Sequence, residues 1–241
     1  MATVQPKARR PAAATATASA TASATASPTA STASSTSTAT GPRRTQAQRR
    51  EAAERRLLDA ALAIVAHTGT VRLTLAGLGT AAGYSRGLAT HRFGSKAGLL
   101  RALAAHITAR FQAQIHAAPR RQPGLDAIRG NIAVYFGRTD QHWTTTRALL
   151  VMMTESFMDN AELRTDMAAY NRQALLFFET EIGHGITRGE IGPDIDPAAT
   201  AVLLLGALRG VMLQWLLDSR IDLGRVRDSL LALVDRALGP G

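Results

Sequence analysis

From Arg49 to the C-terminus the apolar residues recur at helical spacing, and no stretch alternates apolar and polar with period two. That pattern leaves room for helices and none for a sheet, so the fold class reads as all-α. Leu58, Ala61, Leu62 and Val65 fall at i, i+3, i+4 and i+7, with Arg49, Glu51, Arg55, Arg56 and Asp59 on the other side. His67 sits in the last turn of this helix and Gly69 follows as a stop. Thr74 is a good N-cap for a short helix over 75–82, in which Gly77 and Gly79 cost roughly 1 kcal/mol each against Ala. Gly83 supplies the positive φ of a tight turn. Ser85 is placed to cap a third helix over 86–92, Gly94 breaks it, and Ser95 caps a fourth that carries Leu99, Leu103, Ile107 and Phe111. Helical patterns continue over 125–138, 143–158, 161–188, 197–218 and 223–238. The total is about nine helices and no strand.

Residues 12–40, by contrast, contain only Ala, Thr, Ser and Pro28. Nothing there buries enough apolar surface to offset the entropy of ordering, so 1–42 read as a disordered tail. The tail lacks the apolar h-region of a secretory signal. Its Ser content and lack of acids match a transit peptide in composition, but it has no large apolar residues to make such a helix amphipathic. The absence of cysteine excludes disulfides and any cysteine-ligated metal site. Aromatic residues, at 5%, are too few for a single-strand stacking platform.

Charge is unevenly spread: residues 1–48 carry a net +5, 49–116 carry +7 and 117–241 carry −2. A basic first half attracts phosphate backbones. Within it, two short helices joined through Gly83 have the form of a helix-turn-helix, in which the first helix braces a second that enters the major groove. The run over 74–100, T-L-A-G-L-G-T-A-A-G-Y-S-R-G-L-A-T-H-R-F-G-S-K-A-G-L-L, resembles the N-terminal domain of the tetracycline-repressor (TetR) family. The matching features are Thr74 opening helix 2, Ala82–Gly83 at the turn, Ser85–Arg86–Gly87 opening helix 3, and Phe93, Ser95–Lys96 and Leu99–Leu100 leading into helix 4. Thr90 stands where the family usually has Tyr, and Arg92 where it often has an aromatic.

The resemblance implies a three-helix DNA-binding domain over 43–94 and a ligand-binding and dimerisation domain over 95–241. Lys96, the Ser95 backbone N–H and Thr74 lie at helix N-termini, where phosphate is favoured. Arg86, Thr90 and His91 are the candidates for reading base edges in double-stranded DNA. Ser85 opens the recognition helix, Gly87 permits close approach to the backbone and Arg92 supplies charge. Arg44 and Arg49, with Arg43 and Arg50, extend as a basic arm.

The helix over 197–218 is apolar nearly all round and long enough to suggest a membrane span. Arg209 near its middle and Gln214 argue against that, since a charge there costs at least ~2.5 kcal/mol. A helix buried between subunits fits better. The final helix over 223–238 repeats Leu223, Val226, Leu230, Leu233 and Ala237 at 3–4 spacing. Two helices from each chain would form a four-helix bundle across a two-fold axis, which is the dimer interface that the resemblance implies, with no membrane contact.

The resemblance further implies a cavity for a small effector. The candidate lining is Ile107, Phe111, Tyr135, Trp143, Arg147, Met153, Phe157, Phe178 and Trp215, with Phe136, Met152 and Phe177 beside them and His142 and Glu155 as further polar anchors. The six histidines show no metal-ligand spacing, and there is no Walker loop, dinucleotide fingerprint or nucleophile elbow. No catalytic residue, metal or cofactor is therefore expected. The whole reads as a cytoplasmic, homodimeric repressor that binds an inverted repeat and is released by a small molecule. A sequence-nonspecific DNA-coating protein and a helical enzyme without a recognisable motif remain open on sequence alone.

Overall fold

Capping chemistry decides where the first helix starts. In the computed structural model, which describes residues 45–137, 143–158 and 161–240, α1 (Gln46–Thr68) begins earlier than its apolar stripe. The Thr45 hydroxyl accepts from the Gln48 N–H at 3.2 Å, and the Gln48 side chain accepts from the Thr45 N–H at 2.9 Å. This reciprocal box satisfies two of the orphan donors of the first turn. The tail, Arg43, Arg44 and His142 lie outside the described residues.

The next three helices are α2 (Leu75–Ala81), α3 (Arg86–Phe93) and α4 (Lys96–Ala117). Thr74 and Ser95 cap as expected, accepting from Gly77 N at 3.1 Å and Gly98 N at 3.0 Å. Ser85 does not. Its backbone takes the extended N-cap conformation, but its side chain makes no capping bond. The entry to α3 is set instead by how α2 ends. Gly83 has φ +78°, its N–H bonds Thr80 O at 3.1 Å, and Tyr84 N–H bonds Gly79 O at 2.8 Å. This is a Schellman closure, which needs the left-handed residue that glycine supplies at low cost.

Gly79 is required for space. A Cβ there would lie 2.4 Å from the Ser85 carbonyl oxygen, a backbone atom that cannot turn aside. The glycine that weakens α2 by propensity is what lets α2 and α3 touch.

The remaining helices are α5 (Leu125–Phe136), α6 (Thr144–Glu155), α7 (Ala161–Thr187), α8 (Pro197–Leu217) and α9 (Leu223–Leu238). Among the described residues there are nine α-helices and no strand. Trp143, expected inside the sixth helix, precedes it in a left-handed conformation, φ 55°.

Two apolar cores result. The first gathers Leu57, Leu62, Leu78, Ala89, Leu99 and Leu103 with Met152 of α6 and Leu163 of α7. Ile107 and Phe111 belong to it as well, so the whole stripe of α4 is buried in one core. The second joins α5, α7, α8 and α9 through Ile128, Ile132, Phe178, Ile182, Leu208 and Met212. α1 packs along α6, and one polar contact locks that pair: the Glu155 carboxylate accepts from Thr70 N–H at 2.9 Å. Glu155 is thus a clamp on the α1–α2 turn and not an anchor in a cavity.

Gly79→Ala tests the α2–α3 approach. By propensity it should stabilise a helix by about 1 kcal/mol. The contact with Ser85 O reverses the sign, so urea denaturation is expected to show a loss of about 1–3 kcal/mol from overpacking. An unchanged or raised midpoint would show that the approach is looser than 2.4 Å implies.

Candidate functional site

The α3 surface divides sharply. Ala89 is fully buried, with Leu88 and Phe93 half-buried beside it, and these seat the helix on the first core. Arg86, Gly87, Thr90 and His91 are exposed, and no protein group pairs with Arg86 among the described residues. A Cβ at Gly87 would meet nothing within 4 Å, so the helix is open to close approach from outside. A short helix that offers Arg, Thr and His outward, held by small apolar residues behind, can lie in a groove and present donors to base edges.

Arg49, Arg50, His91 and Arg92 line a groove between α1 and α3, and one acid, Glu54, stands among them. The Arg92 guanidinium grips Glu54, with Nε 2.7 Å from Oε2. Arg92 therefore braces α3 against α1 and has part of its charge spent.

At the start of α4 the Ser95 N–H donates to Phe93 O at 2.8 Å and is not available to an anion. The first-turn N–H groups of Lys96 and Ala97 lack an intrahelical partner by helix geometry. The Lys96 ammonium donates to Val71 O at 3.2 Å, tying α4 to the α1–α2 turn, and has two further protons to give. The Thr74 and Ser95 hydroxyls are engaged as caps.

The expected ligand-binding residues separate into four places. Phe111, Tyr135 and Phe178 come together, with Phe177, around a cavity of about 270 Å³ between α4, α5, α7 and α8. Tyr170, Gln173, Asn131, Thr108 and Gln112 add polar groups to its wall, and Ile115, Ala174, Leu205 and Leu208 the rest, none of them expected there from sequence. Their spacing follows the same helix faces, but nothing in a lone sequence separates a cavity wall from a solvated face. Arg147 and Trp215 line a different hollow beside His67, and Trp143 packs at a tilt of 56° against Trp215 with ring centroids 5.8 Å apart. Ile107 and Met152 are fully buried in the first core, and Met153 packs against it. Phe157 is 78% exposed just beyond α6.

Arg209 occupies the seam between α7 and α8. It donates to Asn171 Oδ1, and its Cζ lies 5.9 Å from the Tyr170 ring centroid. Burial pulls its pKa below the ordinary arginine value. The outer side of the same helix is bare: Leu203 is 71% exposed and Leu213 46%, and Gly206 and Gly210 open onto empty space between them. By length and composition alone α8 would pass for a membrane span, with mean hydropathy 1.7. Among the described residues no cluster of His, Asp and Glu is arranged to hold a metal ion.

Comparison with known proteins places these features in context. A sequence profile for bacterial regulatory proteins of the tetR family matches residues 57–103, and one for the C-terminal part of BetI-type transcriptional repressors matches 125–239. No curated protein matches the chain. Among solved structures, the chain is similar to a TetR transcriptional regulator from Chloroflexus aurantiacus J-10-FL. That match has 21% identity and a TM-score of 0.68, covering 80% of this chain and 99% of that one. It is similar to AibR in complex with isovaleryl coenzyme A and operator DNA at 16% identity and TM-score 0.59, covering 78% and 100%. It is similar to FadR from Bacillus subtilis in complex with stearoyl-CoA at 20% identity and TM-score 0.58, covering 75% and 96%. At these identities the likeness is one of fold.

Glu54→Gln separates the brace from the charge. Both partners of the Arg92 pair are partly exposed, so stability should change by under about 1 kcal/mol. Release of Arg92 should raise affinity for random-sequence duplex DNA and steepen the log–log salt dependence by about 0.9. An unchanged slope in fluorescence anisotropy would mean that Arg92 reaches no phosphate in either form.

Proposed function

The chain belongs to the tetR family of bacterial regulatory proteins and is a DNA-binding transcriptional regulator, and from that premise we propose that it represses transcription as a homodimer on an inverted-repeat operator and is released by a small-molecule effector. One observation carries this reading: the outward face of α3, Arg86–Gly87–Thr90–His91, is exposed and open beside a groove lined by Arg49, Arg50 and Arg92. Lys96 and the first turn of α4 supply phosphate contacts that set register, while Arg86, Thr90 and His91 read bases. The protein works in the cytoplasm, without catalysis and without a cofactor.

The dimer is proposed on the bare stripe of α8. Leu203, Gly206, Gly210, Leu213 and Leu217 repeat at 3–4 spacing, and Leu233 is exposed on α9. Pairing α8 and α9 with their copies about a two-fold axis covers this stripe in a four-helix bundle, the two glycines allowing close helix approach. Two-fold pairing also presents two α3 helices to half-sites spaced by about 34–36 Å or a multiple of it.

The division of labour is proposed to follow the chain, with 43–94 binding DNA and 95–241 holding effector and partner. AibR with its acyl-CoA and operator, and FadR with stearoyl-CoA, support an effector seated in the cavity between α4 and α8. α4 carries the signal, since Lys96 stands at its DNA end and Phe111 and Ile115 line the cavity at the other. An effector shifts binding by its preference for one arrangement, worth typically ~1–3 kcal/mol.

Selection of operator sequences from a random pool tests the reading. A regulator should prefer one inverted repeat by about 10³-fold or more over random DNA. A smaller preference would favour a DNA-coating protein. On the selected site Arg86→Ala should cost about 1–3 kcal/mol per half-site and relax one base preference. Lys96→Ala should weaken all sequences alike and lower the salt slope by about 0.9 per contact. If Arg86→Ala weakens operator and random DNA equally, Arg86 does not read a base.

For the dimer, Leu203→Glu combined with Leu213→Glu should yield a folded monomer in analytical ultracentrifugation, with helical circular dichroism retained and operator affinity lost. A dimer that persists would place the interface elsewhere.

A further inference from the structure

The last turn of α1, the first turn of α6 and the end of α8 meet around a hollow of about 420 Å³, lined by His67, Arg147, Trp215, Leu216, Leu217 and Ser219. It shares no lining residue with the cavity between α4, α5, α7 and α8. Its volume falls within the ~300–1,000 Å³ of small-molecule sites. Trp143 backs Trp215 from the side of α6. Trp143 is the one non-glycine residue with positive φ among the described residues. That backbone is costly for a bulky side chain and persists only where its surroundings fix it.

The charge at this hollow is unbalanced. Arg147 is half-buried and enters no hydrogen bond or ion pair among the described residues, and no carboxylate lines the hollow among them. The acids that flank it along the chain are engaged. Asp218, between Leu217 and Ser219, accepts from Arg220 Nε at 2.9 Å and Nη2 at 2.8 Å, so both charges of that pair are spent on each other. Glu155, at the far end of α6, accepts from Thr70 N–H. Arg209, nearly two turns before Trp215, donates to Asn171 in the seam with α7. A partly desolvated guanidinium without a counter-charge is unfavourable unless an anion joins it. His67 Nδ1 lies 2.8 Å from Ala63 O, a group that only accepts, so Nδ1 carries the proton and Nε2 is left over.

We infer that this hollow is a second binding site, for a small aromatic carboxylate whose carboxylate pairs with the Arg147 guanidinium and whose ring lies against Trp215. The planar fork of arginine matches a carboxylate bidentately. One guanidinium balances one carboxylate, whereas a phosphate dianion would keep a charge without a partner. The Trp215 face gives an aromatic ring an offset or edge-on contact, and Leu216 and Leu217 add apolar wall. Ser219 and His67 Nε2 are left for polar groups on the ring. A ligand so placed touches α1, α6 and α8 at once.

The chain has two tryptophans and both stand here, so intrinsic fluorescence of the full chain reads occupancy directly. The probes are benzoate, cyclohexanecarboxylate, benzamide, benzylamine and inorganic phosphate. Benzoate is expected to give a saturable change whose affinity falls as salt rises. Benzamide and benzylamine should bind at least tenfold more weakly, for want of the charge or for its wrong sign. Cyclohexanecarboxylate, with the charge but no π face, should bind about two- to tenfold more weakly than benzoate. Arg147→Met should weaken benzoate about tenfold and benzamide little, with helical circular dichroism retained. Arg147→Lys, which keeps the charge and loses the fork, should recover part of that loss.

Equal binding of benzylamine and benzoate would overturn the inference, as would no response to any probe. Phosphate that binds as tightly as benzoate would reduce the hollow to a general anion site and refute the aromatic assignment. Benzoate affinity unchanged in Arg147→Met would place the ligand in the other cavity and remove this site altogether.

Discussion

The burial of the α4 stripe is the constraint on which the rest depends. Leu99, Leu103, Ile107 and Phe111 enter one core with α1, α6 and α7, and that core is close-packed. α4 therefore cannot move alone. Its first turn sits beside the α1–α2 turn through Lys96, and its last third forms a wall of the cavity. α1 is held from the other side by α6, where Glu155 grips the Thr70 N–H. Gly69 is obliged to be glycine there twice over, since it has φ +78° and a Cβ would meet Glu155 Oε1 at 2.5 Å. The cavity end of α4 thus shares one packed core with α1 and, through Ala89, with α3.

Electrostatics in this protein orients more than it stabilises. The Arg92–Glu54, Arg110–Asp59 and Arg129–Asp235 pairs all have exposed or half-exposed partners, a class worth about 0–1 kcal/mol each. Their positions are informative. Asp59 on α1 accepts from both His106 and Arg110 on α4, at 2.9 and 3.0 Å, so two side chains of α4 register against one acid of α1. Glu54 does the same for α3. Two of the three acids over 49–116, Glu54 and Asp59, are thus spent on holding helices together, and the third, Glu51, pairs within α1.

α8 shows how one helix can carry three environments. Leu204, Leu208 and Met212 face the second core, Arg209 lies in the seam with α7, and Leu203, Leu213 and Leu217 face outward. Composition alone averages these into a membrane-like segment. The uneven burial is instead that of a helix with one face packed in the core and the opposite face left bare.

Helix positions were legible in the sequence because their signals are local. Apolar spacing, the hydroxyls of Thr74 and Ser95, and Gly83 act within four residues of where they stand, and each helix forms within a few residues of its expected bounds. The run over 74–100 likewise carried the helix-turn-helix, since its turn chemistry is contiguous. What the sequence could not supply was the partner across space. Ser85 stands at the N-cap of α3, but its side chain makes no capping bond, and the chain enters α3 from the Schellman closure at Gly83. Glu155 looked like a ligand anchor and clamps Thr70, 85 residues away along the chain. Phe157 and Phe178 are indistinguishable by residue type and local pattern, yet one is 78% exposed and the other lines the cavity. Periodicity says which face of a helix is apolar. Whether that face meets a core, a cavity or a second subunit depends on the packing of three or four helices at once, and only the tertiary structure decides that.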